Sequence, residues 1–536
     1  MKSRYLRYIL ALPSLLALGA CNDYLDKMPD NRATIDSEEK VYKLLISAYP
    51  ENGYVYAAEM ASDNTDLLGV NNPYYDLFQE QLYTWADVTE SNNEDPSRIW
   101  QSCYKAIATA NQALQAIAEL GGPESLNPAR GEALLCRAYN HFILVNIFCQ
   151  AYSEQHSETD LGVPYVTIAS SDPNPIYERG TVAEVYRKMI ADIEEGLPLI
   201  DDSRYGVPKY HFNQKAAYTF ASRVYLFTHD WDKVIECSDK VLGSNPAEYM
   251  HDNAYLSTYP RDPMANISQA YVASSMKANF LLQTAYSNLG TTFGAYYTNS
   301  KYNHGAICAR WESMNFLPWG GGSGLFGTAN NNYSFLFNPR VWVYAGTNLD
   351  KALLPRVPYL FEYTDPVAGT GYRRTVYVPL TGEEALLNRA EAYAWKEEYS
   401  KTVSDLNIWI NNNANPQYAS LSVTEDGIIA WANNLKYYTP TAPTPKKELN
   451  PDFETITQGS DKEAFLHSVL VTRRVQFMHE GMRWFDVKRY GIKIYRRTID
   501  GTTIVSVDDT LELRDNRRAM QIPKDAVTAG VTPNPR

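Results

Sequence analysis

The side chains best suited to chemistry in this 536-residue chain are aromatic rings and amides, not nucleophiles or metal ligands. Tyr (41), Trp (10) and Phe (17) make up 13% of the chain, and Tyr supplies the excess. Tyr offers a flat apolar face with a polar tip. Such a ring can lie against the C–H face of a pyranose, while amides and carboxylates take its hydroxyls. Two stretches concentrate these groups. Residues 62–94 carry Asn71, Asn72, Tyr74, Tyr75 and Phe78, and residues 290–330 carry Tyr296, Tyr297, Trp311 and Trp319. Trp319 heads the run Gly320-Gly321-Gly322-Ser323-Gly324, which predicts an exposed, adaptable base for it. Trp319 is therefore the expected centre of a shallow binding patch, with Trp311, Tyr296, Tyr74, Tyr75 and Asn72 as further contacts. Trp85 is expected to pack against the helix that begins after Asp95.

Catalytic patterns are missing from the sequence. His479-Glu480 is followed by Arg483 where a zinc-protease helix needs a second His. There is no GxSxG and no CxxC, and no Gly-Lys-Ser/Thr follows the Gly-rich run. The 62 acidic residues offer many pairs for glycoside hydrolysis but single out none. Ser62-Asp63-Asn64-Thr65-Asp66 could touch calcium but lacks the remaining loop ligands, and reads as a surface turn or a hydrogen-bonding loop. Arg473, Glu480, Arg483, Trp484, Asp486 and Arg489 resemble a site, but their i,i+3 spacing on one helix suits ion pairs that hold a fold. No catalytic residue, metal or cofactor is expected.

The elements that must position the aromatic stretches are helical. Asp95 with Pro96 opens a helix whose buried face steps through Ile99, Cys103, Ile107, Ala110, Leu114 and Ile117, and Gly121-Gly122-Pro123 stops it. Further helices carry Leu134 to Cys149, Val182 to Ile200 behind the capping box Thr181/Glu184, Asn213 to Phe227, and Trp231 to Gly243. Another pair is expected at about 383–397 and 401–411, and a late amphipathic helix over roughly 461–489. Residues 132–138 and 384–390 agree at six of seven positions (Glu-Ala-Leu-Leu-x-Arg-Ala), with a weaker copy from Lys215 to Leu226. Small Ala beside bulky Tyr, Phe or Leu suits helical hairpins of the tetratricopeptide type, separated by insertions. Residues 250–380 show weak periodicity and are rich in Gly, Asn, Tyr and Trp, so they read as long functional loops.

Lys2, Arg4 and Arg7 followed by the apolar run Ile9 to Leu18 predict a secretory signal, too short to span a membrane. It ends in Leu18-Gly19-Ala20-Cys21, a bacterial lipobox pattern, so Cys21 is the expected lipidation site and anchor. Of the five other cysteines, Cys103, Cys136, Cys149 and Cys237 fall on or beside apolar helix faces; all five, Cys308 included, are expected as buried thiols. The formal charge of −13 argues against nucleic acid as a partner.

Taken together, the ordered segments resemble the SusD/RagB family of outer-membrane nutrient-binding lipoproteins. They are Cys21 with Leu25-Asp26…Pro29, Trp100…Tyr104…Asn111, Arg137-Ala138-Tyr139, Arg389-Ala390-Glu391-Ala392-Tyr393, Arg473-Arg474, Glu480-Gly481-Met482-Arg483-Trp484-Phe485-Asp486-Val487-Lys488-Arg489, Ile522-Pro523 and Asn534-Pro535. Asn338-Pro339-Arg340 and the tail Asn534-Pro535-Arg536 depart from the family pattern. The resemblance implies a mainly α fold of tetratricopeptide-like hairpins supporting long loop insertions. It implies a non-catalytic protein on the outer surface of a Bacteroidetes cell that binds an oligosaccharide and caps a SusC-like TonB-dependent transporter. The alternatives are capture of peptide, as in some members, or a glycoside hydrolase or lyase. The expected organisation is a signal (1–20), a SusD-like N-terminal region (21–245), a loop-rich, ligand-facing region (246–380) and a C-terminal region (381–536) packing on the helices.

Overall fold

The computed structural model describes residues 35–536 except 169–176, 261–262, 295–298, 321–340, 345, 347 and 417–419. The signal and Cys21 lie outside the described residues, as do Tyr296, Tyr297 and Asn338-Pro339-Arg340.

The fold is mainly α. The Pro96–Glu119 helix starts where expected, with the Asp95 carboxylate accepting from the Arg98 N–H at 2.8 Å. It packs against Asn127–Phe148, which packs in turn on Val182–Gly196. The Thr181/Glu184 capping box forms at the start of Val182–Gly196. Gln214–Phe227 and Trp231–Leu242 make the next hairpin, and Gly382–Trp395 with Tyr399–Asn413 the one after. Trp231–Leu242 packs directly on Gly382–Trp395, so hairpins some 140 positions apart stack as neighbours across the insertion between them.

The repeated Glu-Ala-Leu-Leu-x-Arg-Ala segment has a packing cause. Arg137 donates from Nε and Nη2 to Asp192 on the following helix, at 2.7 and 2.6 Å. Arg389 does the same to Asp405, at 2.9 and 2.7 Å. Each copy thus sews its hairpin with one bidentate ion pair inside the helix interface. Cys103, Cys136, Cys149, Cys237 and Cys308 are free and buried.

Two expectations are corrected. Residues 250–380 are not loops alone: Asn279–Tyr286, Thr370–Thr381 and Leu360–Asp365 form an antiparallel three-stranded sheet with Thr370–Thr381 in the middle. The helix expected over 461–489 is two, Asp461–Gln476 and Met482–Arg489. Between them His479 and Gly481 take positive φ, 68° and 75°. A Cβ at Gly481 would sit 3.0 Å from Cα of Val55, so the turn and the close helix approach both need glycine. Of the two readings of Ser62–Asp66, the structure gives the hydrogen-bonding loop: it is buried, and the Ser62 and Thr65 hydroxyls donate to the Glu59 carbonyl at 2.9 and 3.0 Å.

Candidate functional site

One polar cleft joins the two stretches rich in rings and amides. Its first wall is the turn before the Leu77–Tyr83 helix. The Asp76 carboxylate caps that helix, accepting from the Gln79 N–H at 3.0 Å. Tyr74 and Tyr75 precede the cap and are 41% and 55% exposed. The Tyr75 hydroxyl donates to the Glu80 carboxylate at 2.5 Å, which restrains the ring before any ligand arrives. The second wall comes from Asn288, Thr291 and Thr292, just past the Asn279–Tyr286 strand, and from Arg373 on Thr370–Thr381. Asn92 and Asn299 complete a cavity of about 240 Å³.

The second wall is held from below. The Asn288 amide donates to Asn92 Oδ1 and, at 3.2 Å, to the Glu94 carboxylate. Arg373 Nη1 donates to Asn288 Oδ1 at 3.2 Å. Glu94 is fully buried; burial pushes its carboxyl up to about 7, against the donors from Asn288. The cleft therefore offers exposed phenol rings facing amide, hydroxyl and guanidinium groups, the set that recognises a hydroxyl-rich ring.

The residues singled out from sequence divide among several places. Tyr74 and Tyr75 line the cleft. Asn72 supports it: 5% exposed, it donates to the Ser300 and Asn348 carbonyls, both at 3.0 Å, and accepts from the Tyr74 N–H at 2.9 Å. Trp311 is 41% exposed and stacks on Phe316, outside the cleft-lining set. The expectation for Trp319 is corrected. It is 1% exposed, with its ring 5.1 Å from that of Trp409 on the Tyr399–Asn413 helix. The Gly-rich run thus begins from a ring sunk into the scaffold, not from an exposed platform. Trp85 is buried beside the start of the helix after Asp95, bordering one cavity with Asp95, Pro96 and Ser97; its Nε1–H donates to the Ala61 carbonyl at 2.9 Å, and the Arg496 guanidinium lies 4.3 Å from its ring. Asn288, Arg373 and Asn92 were not singled out; only the fold brings Arg373, 81 positions after Thr292, to the same wall.

The charged block near the C-terminus is structural. Arg483 donates to both Asp63 oxygens at 2.7 and 2.9 Å, and Arg474 donates to the Asp63 carbonyl at 2.6 Å. Burial raises the Asp63 carboxyl, but Arg474, Arg483 and Lys447 overcome it and hold the group well below the usual range. Arg489 bridges Glu391 and Asp486, and Arg473 donates to Asp486 and Asn388. A cavity of about 50 Å³ bordered by Tyr54, Arg223, Glu384 and Glu480 has room for water rather than a sugar. Among the described residues no group of three His, Cys, Asp or Glu could hold a metal, and no helix is long and apolar enough to cross a membrane.

Comparison with known proteins adds a likeness. A family model described as "Starch-binding associating with outer membrane", of the SusD-like type, matches residues 23–226. The match lies in the N-terminal part of the chain. It is 21% identical over 413 residues to SusD-like protein P2 of Formosa agariphila, covering 73% of this chain and 71% of that one. Among solved structures, a putative sugar-binding protein from Bacteroides vulgatus aligns with a TM-score of 0.60 at 18% identity, over 94% of this chain and 99% of that one. A SusD superfamily protein from Bacteroides thetaiotaomicron aligns at 0.58 and 18%, over 94% and 100%. At such identities these structures establish the shared fold of SusD-like proteins.

Proposed function

We propose that this SusD-like chain is a cell-surface binding protein that captures an oligosaccharide in the Tyr74–Tyr75 cleft and passes it to a SusC-like TonB-dependent transporter. The observation that carries the reading is the cleft itself, where exposed rings from one loop system face Asn288, Thr291 and Arg373 from another. The family's description as starch-binding and outer-membrane-associated supports both ligand class and location. Cys21, at the end of the lipobox, is the proposed lipid anchor, with the mature chain facing the exterior.

The chemistry favours binding without turnover. Among the described residues lining the cleft, Asp76 is the single carboxylate, and its oxygen is engaged as a helix cap. Glycoside hydrolysis ordinarily needs two carboxylates flanking the scissile bond. The test is a panel of polysaccharides scored for retention of the protein and for release of reducing ends. Retention without new reducing ends is expected; product formation by the pure protein would contradict the reading, and binding confined to peptides would replace its ligand class. Purification from outer membranes in mild detergent should recover a transporter-sized β-barrel, and Cys21→Ala should move the protein to the soluble fraction.

A further inference from the structure

The sheet beside the cleft continues past the cleft wall. Asn279–Tyr286 makes its last pairing between Tyr286 and Arg374, whereas Leu360–Asp365 and Thr370–Thr381 run on together as a two-stranded ribbon. The ribbon tip stands in solvent, with Val367 99% exposed. Residues directly opposite in an antiparallel pair share a face, and so do residues two apart along a strand. Arg373, on the cleft wall, is opposite Phe361. Tyr363, two residues beyond Phe361, is opposite Gly371. Phe361 and Tyr363 therefore share the face that Arg373 presents to the cleft.

The two rings meet edge to face, with centroids 4.8 Å apart and planes at 69°. Phe361 is half-buried and Tyr363 is 58% exposed. Gly371 keeps the strip uncovered. A Cβ there would lie 2.9 Å from a Phe361 ring carbon and 2.0 Å from the Glu362 carbonyl oxygen, so a side chain cannot occupy the position across from Tyr363. The opposite face of the ribbon is already engaged: Arg374 pairs with Glu362 and lies 3.9 Å from the Tyr286 ring centroid. That face also carries rings, Tyr286 and the half-exposed Tyr372 with centroids 5.4 Å apart, but it is the Phe361–Tyr363 face that Arg373 continues into the cleft.

The geometry points to a second contact for one ligand. A linear oligosaccharide seated in the cleft leaves it past Arg373 and lays a further sugar ring on the Phe361–Tyr363 pair, with Tyr363 about 7 Å along the strand from the residue opposite Arg373. This rests on the reading of the cleft as a glycan site, and it sharpens the ligand class to chains longer than the cleft alone can hold.

Calorimetry with linear α-1,4-glucan, β-1,4-xylan and β-1,4-mannan ladders, from disaccharide to octasaccharide, tests it on the mature protein. In the ladder that binds, wild-type affinity should rise with length. Tyr363→Ala should weaken the octasaccharide about tenfold and leave the trisaccharide unchanged, with no change in melting temperature. Tyr363→Phe, which keeps the ring, should restore long-chain affinity. Equal binding of every length by Tyr363→Ala and wild type would overturn the ribbon contact while the cleft reading stands. Failure of wild type to bind any ladder or any glycan of the polysaccharide panel would overturn both.

Discussion

The buried block around Asp63 and the exposed cleft around Tyr75 contain the two densest gatherings of polar chemistry described above, and they work in opposite ways. In the first, Arg474, Arg483 and Lys447 converge on Asp63 with almost no solvent, and every strong group has a charged partner within the fold. In the second, Asn72 holds the Tyr74 backbone and Glu80 the Tyr75 hydroxyl, while both side chains stay about half exposed. Charged residues in a motif-like array therefore mark the scaffold, and a plain Asn-Pro-Tyr-Tyr turn marks the proposed recognition surface. A buried charge with satisfied partners has nothing left to offer a ligand; a restrained exposed ring does.

The comparison breaks most visibly if the buried block is disturbed. Asp63→Ala leaves Arg474, Arg483 and Lys447 without their common counter-ion and should cost about 3–5 kcal/mol of stability, read by chemical denaturation. Trp319→Ala should act in the same class, costing about 3–5 kcal/mol through a core cavity beside Trp409. In the protein that remains folded, glycan affinity should hold. A Trp319 variant with normal stability and lost binding would place this ring on the recognition side after all.

A smaller effect concerns pH. Burial raises Glu94 to about 7 and Glu480 to about 8, the latter against Arg356 and a hydrogen bond from Tyr271. A carboxyl raised in the folded state favours folding fully below its unfolded value near 4.5 and loses that contribution as pH climbs through 7 to 8. Glu480→Gln should therefore flatten the decline in melting temperature between about pH 5 and 8. An unaltered slope would show that Glu480 is charged in the fold. The smallest effect is expected at Asn72→Ala, roughly 1–2 kcal/mol of stability, with affinity lowered because Tyr74 loses its support.

Much of the scaffold was legible because it is written locally. Asp95-Pro96, Thr181/Glu184 and Asn213 cap helices through residues three positions away, and the repeated Glu-Ala-Leu-Leu-x-Arg-Ala segment reported its hairpin. What stayed hidden depends on distance along the chain or on special backbone. Whether Ser62–Asp66 is a surface turn or a buried hydrogen-bonding loop stayed open because Arg483, the partner of Asp63, is 420 positions away. The late helix broke at His479 and Gly481, whose left-handed φ no periodicity reveals. Glycines after Trp319 suggested exposure, but Trp409 from a distant helix covers the ring. The cleft was half legible: Tyr74 and Tyr75 stood out by composition, whereas Asn288 and Arg373 reach it through the sheet, whose exposed ribbon gives no clean alternation of apolar and polar residues.

The most direct measurement is calorimetric titration of Tyr75→Ala, beside wild type, with the glycan the wild type binds. Tyr75 lies open on the cleft wall, so the variant should melt with wild type while binding about tenfold more weakly or worse. Unchanged affinity at unchanged stability would contradict the assignment of the cleft as the glycan site.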